Sequence, residues 1–593
     1  MRTSRHWLLV PFVAVCALLL SGPALAQDPV PTSELTELKK SLADAQKDIA
    51  EAKSKGDTAW MLTASAFVML MLPGLALFYG GMVRRKNVLA TMMHSMGALA
   101  VVGLYWIAVG YALAFGPSVL TINLWGVENG GLVGWDPRLI FLHGIDSTMT
   151  LPGGTIPVYV HMMFQGMFAI ITPALISGAI AERVRFWPFC LFMVLWVTFV
   201  YCPLAHMVWA FDWFYATPLD AAKGAGASAV GLLGKLGALD FAGGTVVHIA
   251  AGMAGLAACL ILRKREGYPK AAIHPNSMVL TLLGAGLLWF GWFGFNGGSA
   301  TASNALAGSA FAATQAAAAA AGVGWMVIEW LHKGKPTALG LASGIVAGLV
   351  AVTPASGFVL VWGGVAIGLA AALFCYVAVY VKGELGYDDS LDAFGIHGVG
   401  GFVGAVLTGV FCYAAVQSAS VDGYIASGSS KQFLIQLKAA SFATVFALVL
   451  SAVLVFVTQA VTLGNFTTDT RSEVDGLDRT EHGEVGFDLG YATETVAFTP
   501  TEPKAATYPK GNGRFEVAVE GVNSDELLKN WTALCQPTEA PPDPDFLAVY
   551  PHVTTVSGNT FRLRGGDPAA LTARMESLFK KLIPGKPVKA VRV

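Results

Sequence analysis

Long apolar runs and short polar breaks alternate between residues 58 and 463. A helix needs ~20 apolar residues to cross the ~30 Å hydrocarbon core of a bilayer. Runs at 58–80, 88–115, 157–181, 186–208, 240–262, 275–296, 306–331, 337–354, 359–381, 390–412 and 440–463 meet that need, which predicts about eleven transmembrane helices. Residues 33–55 follow another pattern: Leu35, Leu38, Leu42, Ala45, Ile49 and Ala52 recur at alternating steps of three and four in a polar background. This is a helical heptad seam, though shorter than a typical coiled coil. It reads as an amphipathic helix resting on the protein's own body, the alternative being a short bundle on an oligomer axis. Past residue 464 the pattern turns soluble. Residues 465–490 are acidic and polar, and 491–513 carry Pro, Thr and Lys. Strands are predicted at 515–519, once or twice within 546–555, at 560–563 and at 588–593, with helices at 524–535 and 568–582. The order β-α-β-β-α-β predicts a small α+β domain of ferredoxin-like type.

Composition strengthens the membrane reading. Of 593 residues 54% are hydrophobic and 13% charged, against about 25% charged in soluble domains. The 67 glycines suit helices packed through small-residue faces, because lipid supplies no hydrophobic force between helices. A net charge of −1 gives no reason to expect nucleic acid, and the seven scattered cysteines form no C-x-x-C pair, so neither a metal site nor a disulfide scaffold is expected. Arg2, Arg5, the apolar run 7–20 and Ala24-Leu25-Ala26 read as a secretory signal over 1–26, the alternative being an uncleaved first span. The mature chain then starts at Gln27 on the outer side. The expected organisation is a periplasmic helical segment 27–56, a membrane domain 57–464, a cytoplasmic tail and linker 465–513, and a soluble domain 514–593. In that layout the inner loops hold Arg84, Arg85, Lys86, Arg183, Arg185, Arg263, Lys264, Arg265, Lys270, Lys333, Lys335 and Lys382. The outer loops hold only Arg138, Lys223, Lys235, Lys431 and Lys438, as the positive-inside rule asks. The C-terminus is then cytoplasmic and the membrane a bacterial inner membrane.

Two histidines fall inside apolar spans: His248 in Asp240-Phe-Ala-Gly-Gly-Thr-Val-Val-His248 and His397 in Asp392-Ala-Phe-Gly-Ile-His397-Gly. An ionisable group at membrane depth is costly and marks an ion or proton path. His248 falls in the fifth predicted span and His397 in the tenth, which points to an inverted five-plus-five repeat with its site at the interface of the halves. His94, His143, His161 and His206 read as structural, and Glu182 and Arg183 as a cytoplasmic anchor.

Several further stretches carry a resemblance. They are Pro73-Gly-Leu-Ala-Leu-Phe-Tyr-Gly-Gly-Met-Val-Arg-Arg-Lys-Asn87, Phe164-Gln-Gly-Met-Phe168-Ala-Ile-Ile-Thr172, Ala181-Glu-Arg183, His206-Met-Val-Trp209, Gly291-Trp-Phe-Gly-Phe295-Asn-Gly-Gly-Ser299 and Ser343-Gly-Ile-Val-Ala-Gly-Leu-Val-Ala-Val-Thr353. With the two histidine motifs, they make residues 57–487 resemble the ammonium transporter (Amt/Rh) family, and the Amt branch within it. The resemblance implies an outer ammonium recruitment site at Trp209, Phe164, Phe168 and Ser299, and a gate of Phe168 and Phe295. It also implies a pore lined by His248 and His397 that guides ammonia and relays a proton, with Asp240 and Asp392 in support. It implies a transporter rather than an enzyme, with no cofactor. The partners it implies are ammonium or ammonia, membrane lipid, further copies in a homotrimer, and a PII-type signal protein at the cytoplasmic face. Asp475-Gly-Leu-Asp-Arg-Thr-Glu-His-Gly-Glu-Val-Gly486 is similar to the family's cytoplasmic tail. The last eighty or so residues depart from the family pattern and keep a rival open, an ammonium sensor signalling through that domain.

Overall fold

The computed structural model describes residues 32–151, 154–212, 228–270, 273–417, 421–487, 514–520, 523–534, 543–557, 560–564, 567–584 and 587–592. The expected signal segment, the whole 491–513 linker and Lys223 lie outside them. The chain divides into two units, Met1–Gly490 and Tyr491–Val593.

Among the described residues of the first unit, ten helices are long and apolar enough to span a membrane. In chain order they include α1 (Thr32–Met82), α2 (Arg85–Phe115), α3 (Val158–Ile176), α4 (Phe186–Trp209), α5 (Gly244–Ile261), α6 (Met278–Gly298) and α7 (Ala305–Lys333). After the shorter apolar helix α8 (Ala338–Val352) come α9 (Val361–Leu385), α10 (Phe394–Phe411) and α11 (Lys431–Val461). The chain is thus a multi-pass helical membrane protein with the expected eleven apolar helices. Polar punctuation sets their ends. Ser277, Asn304 and Thr337 cap α6, α7 and α8 by accepting from the amides of Leu280, Ala307 and Gly340, donors that have no partner within the helix. Gly334 and Gly386 close α7 and α9 in the left-handed conformation, which costs glycine little.

The structure differs from expectation in four places. The polar segment 33–55 and the first span are one continuous 51-residue helix: Gly56 and Asp57 between them do not break it, because the Asp57 carboxylate accepts from the Thr155 hydroxyl and the Ser303 amide instead of capping a new helix. Among the described residues of this unit the seam rests on nothing: residues 33–53 are exposed, with Leu38 at 66% and Ile49 at 68%. The last span begins at Lys431, nine residues before the apolar run. Gln432 and Gln436 extend it because both are buried and donate to the carbonyls of Gly237, Leu239 and Ala405. Between α2 and α3 the chain forms an unforeseen antiparallel hairpin, β1 (Ser118–Leu124) with β2 (Val127–Gly134).

Two short helices, α12 (Thr470–Asp475) and α13 (Leu477–His482), fasten the tail to one end of this unit. Glu473 pairs with Arg84 at 3.3 Å and Arg263 at 2.7 Å. The Ala90 amide donates to Asp478 and the Leu477 amide to Asn87. Beside them Arg265 bridges Glu182 (2.9 Å) and Asp388 (2.7 Å), and Arg183 reaches Asp388 at 2.5 Å. Glu182 and Arg183 are therefore anchors, as expected. Burial pushes the Glu182 and Asp388 carboxyls up, but the arginines hold both below the usual range.

The second unit is a four-stranded antiparallel sheet of β3 (Arg514–Glu520), β4 (Val553–Ser557), β5 (Thr560–Arg564) and β6 (Lys589–Arg592), in the order β4-β5-β3-β6. Helices α14 (Ser524–Leu534) and α16 (Pro568–Leu582) connect β3 to β4 and β5 to β6, so two β-α-β units interleave. Val517, Val519, Trp531, Phe561, Leu563, Met575 and Phe579 form its core. Residues 546–555 are not strand throughout. Asp543 caps a helix, α15 (Pro544–Val549), and only Val553 onward is extended.

Candidate functional site

Two equivalent turns build the site. Asp240 Oδ1 accepts from the amides of Gly243 (2.9 Å) and Gly244 (2.7 Å), and Oδ2 from Thr245 (2.8 Å) and Val246 (3.2 Å). One carboxylate thus satisfies the amides that open α5. Gly243 makes the bend at φ 110°, a value that side chains resist. Helix α5 then starts with a wide π turn, Gly244–Ile249, which carries His248. Helix α10 repeats the device: its first turn, Phe394–Gly398, is also π and carries His397. Its capping carboxylate is Asp389, which accepts from the amides of Ala393 (3.1 Å) and Phe394 (2.8 Å). Asp392, expected in this supporting position, instead pairs with Lys382 and has a left-handed φ of 61°. The missed signal was spacing, since Asp240 and Asp389 each precede their histidine by eight residues. Burial raises the Asp389 carboxyl to about 6, with Lys382 opposing the rise and Asp392 adding to it.

Small residues bring the two turns together. A methyl group on Gly401 of α10 would lie 2.9 Å from His248 Cβ, and one on Gly252 of α5 would collide with the Gly398 backbone. The helices therefore cross at the histidines, whose Nδ1 atoms are 3.3 Å apart in rings inclined by 20°. Both rings are buried, and His248 Nε2 has no protein partner. Two neutral imidazoles that share one N–H leave one outer Nε2 a donor and the other an acceptor. They line a cavity of about 10 Å³ with Met71, Leu75, Phe78, Ile171, Leu175, Leu288, Trp292, Phe295 and Val346, room for on the order of one water-sized molecule. Apart from the imidazoles, its lining is almost wholly hydrocarbon and aromatic. Trp292 stacks on His248 at 5.4 Å and donates its indole N–H to Thr353. The sequence reading passed it over, although it lies one helical turn from Phe295.

Phe295 closes one side of the cavity and stacks against Phe168 with centroids 4.2 Å apart. Phe164 and Trp209 lie edge-on to Phe168 at 5.0 and 6.1 Å. Trp209 is half-buried and donates its indole N–H to the Asp240 carbonyl at 2.8 Å, so its ring is tied to the cap of α5. Ser299 Oγ donates to the Phe295 carbonyl at 2.8 Å, which leaves its lone pairs able to accept. The expected aromatic, serine and histidine positions thus form one connected group, and Asp392 lies off it. Elsewhere His161 bonds Tyr111, and His206 bonds Ser118 and the Ala114 carbonyl, as structural residues do. This arrangement offers aromatic faces, then a closed aromatic pair, then an apolar slot with one donor and one acceptor.

Comparison with known proteins agrees with this geometry. The profile of the Ammonium Transporter Family matches residues 59–487. An ammonium transporter of Mycobacterium tuberculosis (strain ATCC 25618 / H37Rv) is 45% identical over 455 residues, covering 74% of this chain and 92% of that protein. The crystal structure of Saccharomyces cerevisiae Mep2 superposes with a TM-score of 0.60 at 36% identity, covering 70% of this chain and 88% of that one. A structure described as "Sensor Amt Protein" gives a TM-score of 0.62 at 27% identity, covering 73% of this chain and 99% of that one. A family match across most of the chain and an identity of this extent leave one conclusion: the chain belongs to the ammonium transporter family.

Proposed function

We propose that this chain moves ammonium nitrogen across a bacterial inner membrane, taking up the ion and passing ammonia through the slot at His248 and His397. The single observation that carries this reading is the histidine pair, with its Nδ1 atoms at 3.3 Å, inside an apolar cavity the size of one small molecule. Potassium has the charge and nearly the size of ammonium, so size cannot separate them. Ammonium can lose a proton and become a neutral hydrogen-bonding molecule. Potassium cannot, and an unpaired charge in an apolar slot is prohibitively costly.

Recruitment falls to the faces of Trp209, Phe164 and Phe168, where a desolvated cation–π contact contributes ~2 kcal/mol, and to the free lone pairs of Ser299. Phe168 and Phe295 form the gate. Beyond it ammonia exchanges hydrogen bonds with the paired imidazoles, which also relay the released proton by exchanging their shared N–H. Asp240 positions the first histidine and the Trp209 ring together, and Asp389 positions the second histidine. The chain assembles as a homotrimer with its mature N-terminus periplasmic and its C-terminus cytoplasmic. The face formed by the tail and the arginine loops is where a PII-type protein would dock. The likeness to a sensor protein, with the added second unit, supports a signalling reading, but the greater identity to a named transporter favours transport.

The test is the ammonium-evoked current in proteoliposomes holding the full chain, with potassium as control. A current or pH-coupled flux with ammonium and none with potassium is expected. Ammonium binding without either would replace the transporter by the sensor.

A further inference from the structure

Helix α1 begins well before the region matched by the family, which starts at residue 59. The Ser54 hydroxyl donates to the Thr155 carbonyl, and buried Asp57 accepts from the Thr155 hydroxyl and the Ser303 amide. Those contacts fix the direction in which the helix leaves the unit. Residues 33–53 are exposed, Leu35, Leu38, Leu42 and Ile49 by 42–68%. Helices in proteins draw most of their stability from packing an amphipathic face, and this one displays a continuous apolar seam with nothing among the described residues of its own unit on it.

The seam does not stop where the polar segment ends. The same alternating step of three and four leads from Ala52 to Gly56, Ala59, Thr63 and Ala66. All four are exposed, and the last three lie on the membrane part of α1. From Leu35 to Ala66 one face runs for about 47 Å at 1.5 Å per residue. It is leucine-rich outside the membrane and small-residue inside, the composition each medium needs for helices to meet.

Charge identifies what meets it. In a parallel, in-register pair of such helices, the residue before one seam position faces the residue five places further on in the partner. Those pairs are Glu34 with Lys39, Ser41 with Gln46, and Asp48 with Lys53: two opposite-charge pairs, one neutral pair and no like-charge pair. An antiparallel pairing is excluded because α1 continues unbroken into the membrane and points the same way in every copy.

We propose that residues 33–56 form a parallel, in-register helical bundle with the same segment of other copies of this chain, an oligomerisation stalk outside the membrane. This inference does not depend on the transport reading, since the stalk touches none of the residues of the pore.

The test is oxidative cross-linking of the full chain in lipid nanodiscs, with one cysteine added at a time and the parent chain, which has seven cysteines of its own, as control. Leu38→Cys and Leu42→Cys lie on the seam, and Lys40→Cys and Lys47→Cys on the opposite face. Covalent dimers forming at least tenfold faster at the seam positions are expected. Equal rates on both faces, or no dimer above the parent at the seam, would overturn the bundle. Register is tested by charge. Glu34→Lys with Asp48→Lys lowers the temperature at which the oligomer dissociates, and adding Lys39→Glu with Lys53→Glu restores it. Dissociation unmoved by the first pair, or unrescued by the second, would overturn the parallel in-register arrangement.

Discussion

Asp240 links the cap of α5 to both the Trp209 ring and the first histidine, so its replacement tests the site as one unit. Its carboxylate accepts four backbone N–H groups at 2.7–3.2 Å in a buried position. Asp240→Ala leaves all four without an acceptor. At ~1 kcal/mol or more for each buried unsatisfied donor, the loss is at least ~4 kcal/mol. Asp240→Asn keeps one oxygen, which serves two of the four, while its amide turns donors toward the others, for a loss of ~2 kcal/mol or more. The bond from Trp209 goes to the backbone carbonyl, so neither variant removes it directly, and any change at Trp209 reports movement of the turn. Thermal midpoints from tryptophan fluorescence should fall in the order parent, Asn, Ala, and ammonium flux should fall in the same order. An Ala variant with the parent's midpoint and flux would refute the argument that this carboxylate holds the turn.

Two further outcomes follow from the other end of the unit. The folded Asp389 carboxyl sits at about 6, above its usual range. Its contribution to stability is therefore full at low pH and lost as pH rises through about 6. Asp389→Asn should remove that step, so the difference in thermal midpoint between parent and variant should change between pH 5 and 7; a constant difference would count against a raised carboxyl. Arg265→Met deletes the guanidinium shared by Glu182 and Asp388. Breaking a buried pair costs ~3–5 kcal/mol, and because Arg84 and Arg183 remain as second partners, the lower end is expected; a thermal midpoint equal to the parent's would show the bridge to be idle.

The membrane helices were legible because hydropathy runs and capping residues act locally. Gly334 and Gly386 end their helices by a conformational preference visible in one residue. The histidines were legible because an ionisable group in an apolar run is conspicuous against its cost. What stayed hidden depended on partners far along the chain. Gln432 and Gln436 look like loop residues until the carbonyls of Gly237, Leu239 and Ala405 are brought to them. Trp292 was passed over because only the fold lays it on His248. Asp392 was named because it lies just upstream of His397, whereas the backbone bends so that Asp389, the carboxylate eight residues back, reaches the amides. Helix α15 was missed because Phe546, Leu547 and Val549 are apolar in either conformation, and the Asp543 cap decides between them.

The central claim is that the histidine pair lets nitrogen through an apolar slot that excludes potassium. The most direct measurement is ammonium-evoked current and pH-coupled flux in proteoliposomes for the chain carrying His248→Ala and His397→Ala, against the parent, with potassium in parallel. The account predicts that a folded double variant loses coupled, selective ammonium transport. Unchanged ammonium transport with potassium still excluded would contradict it.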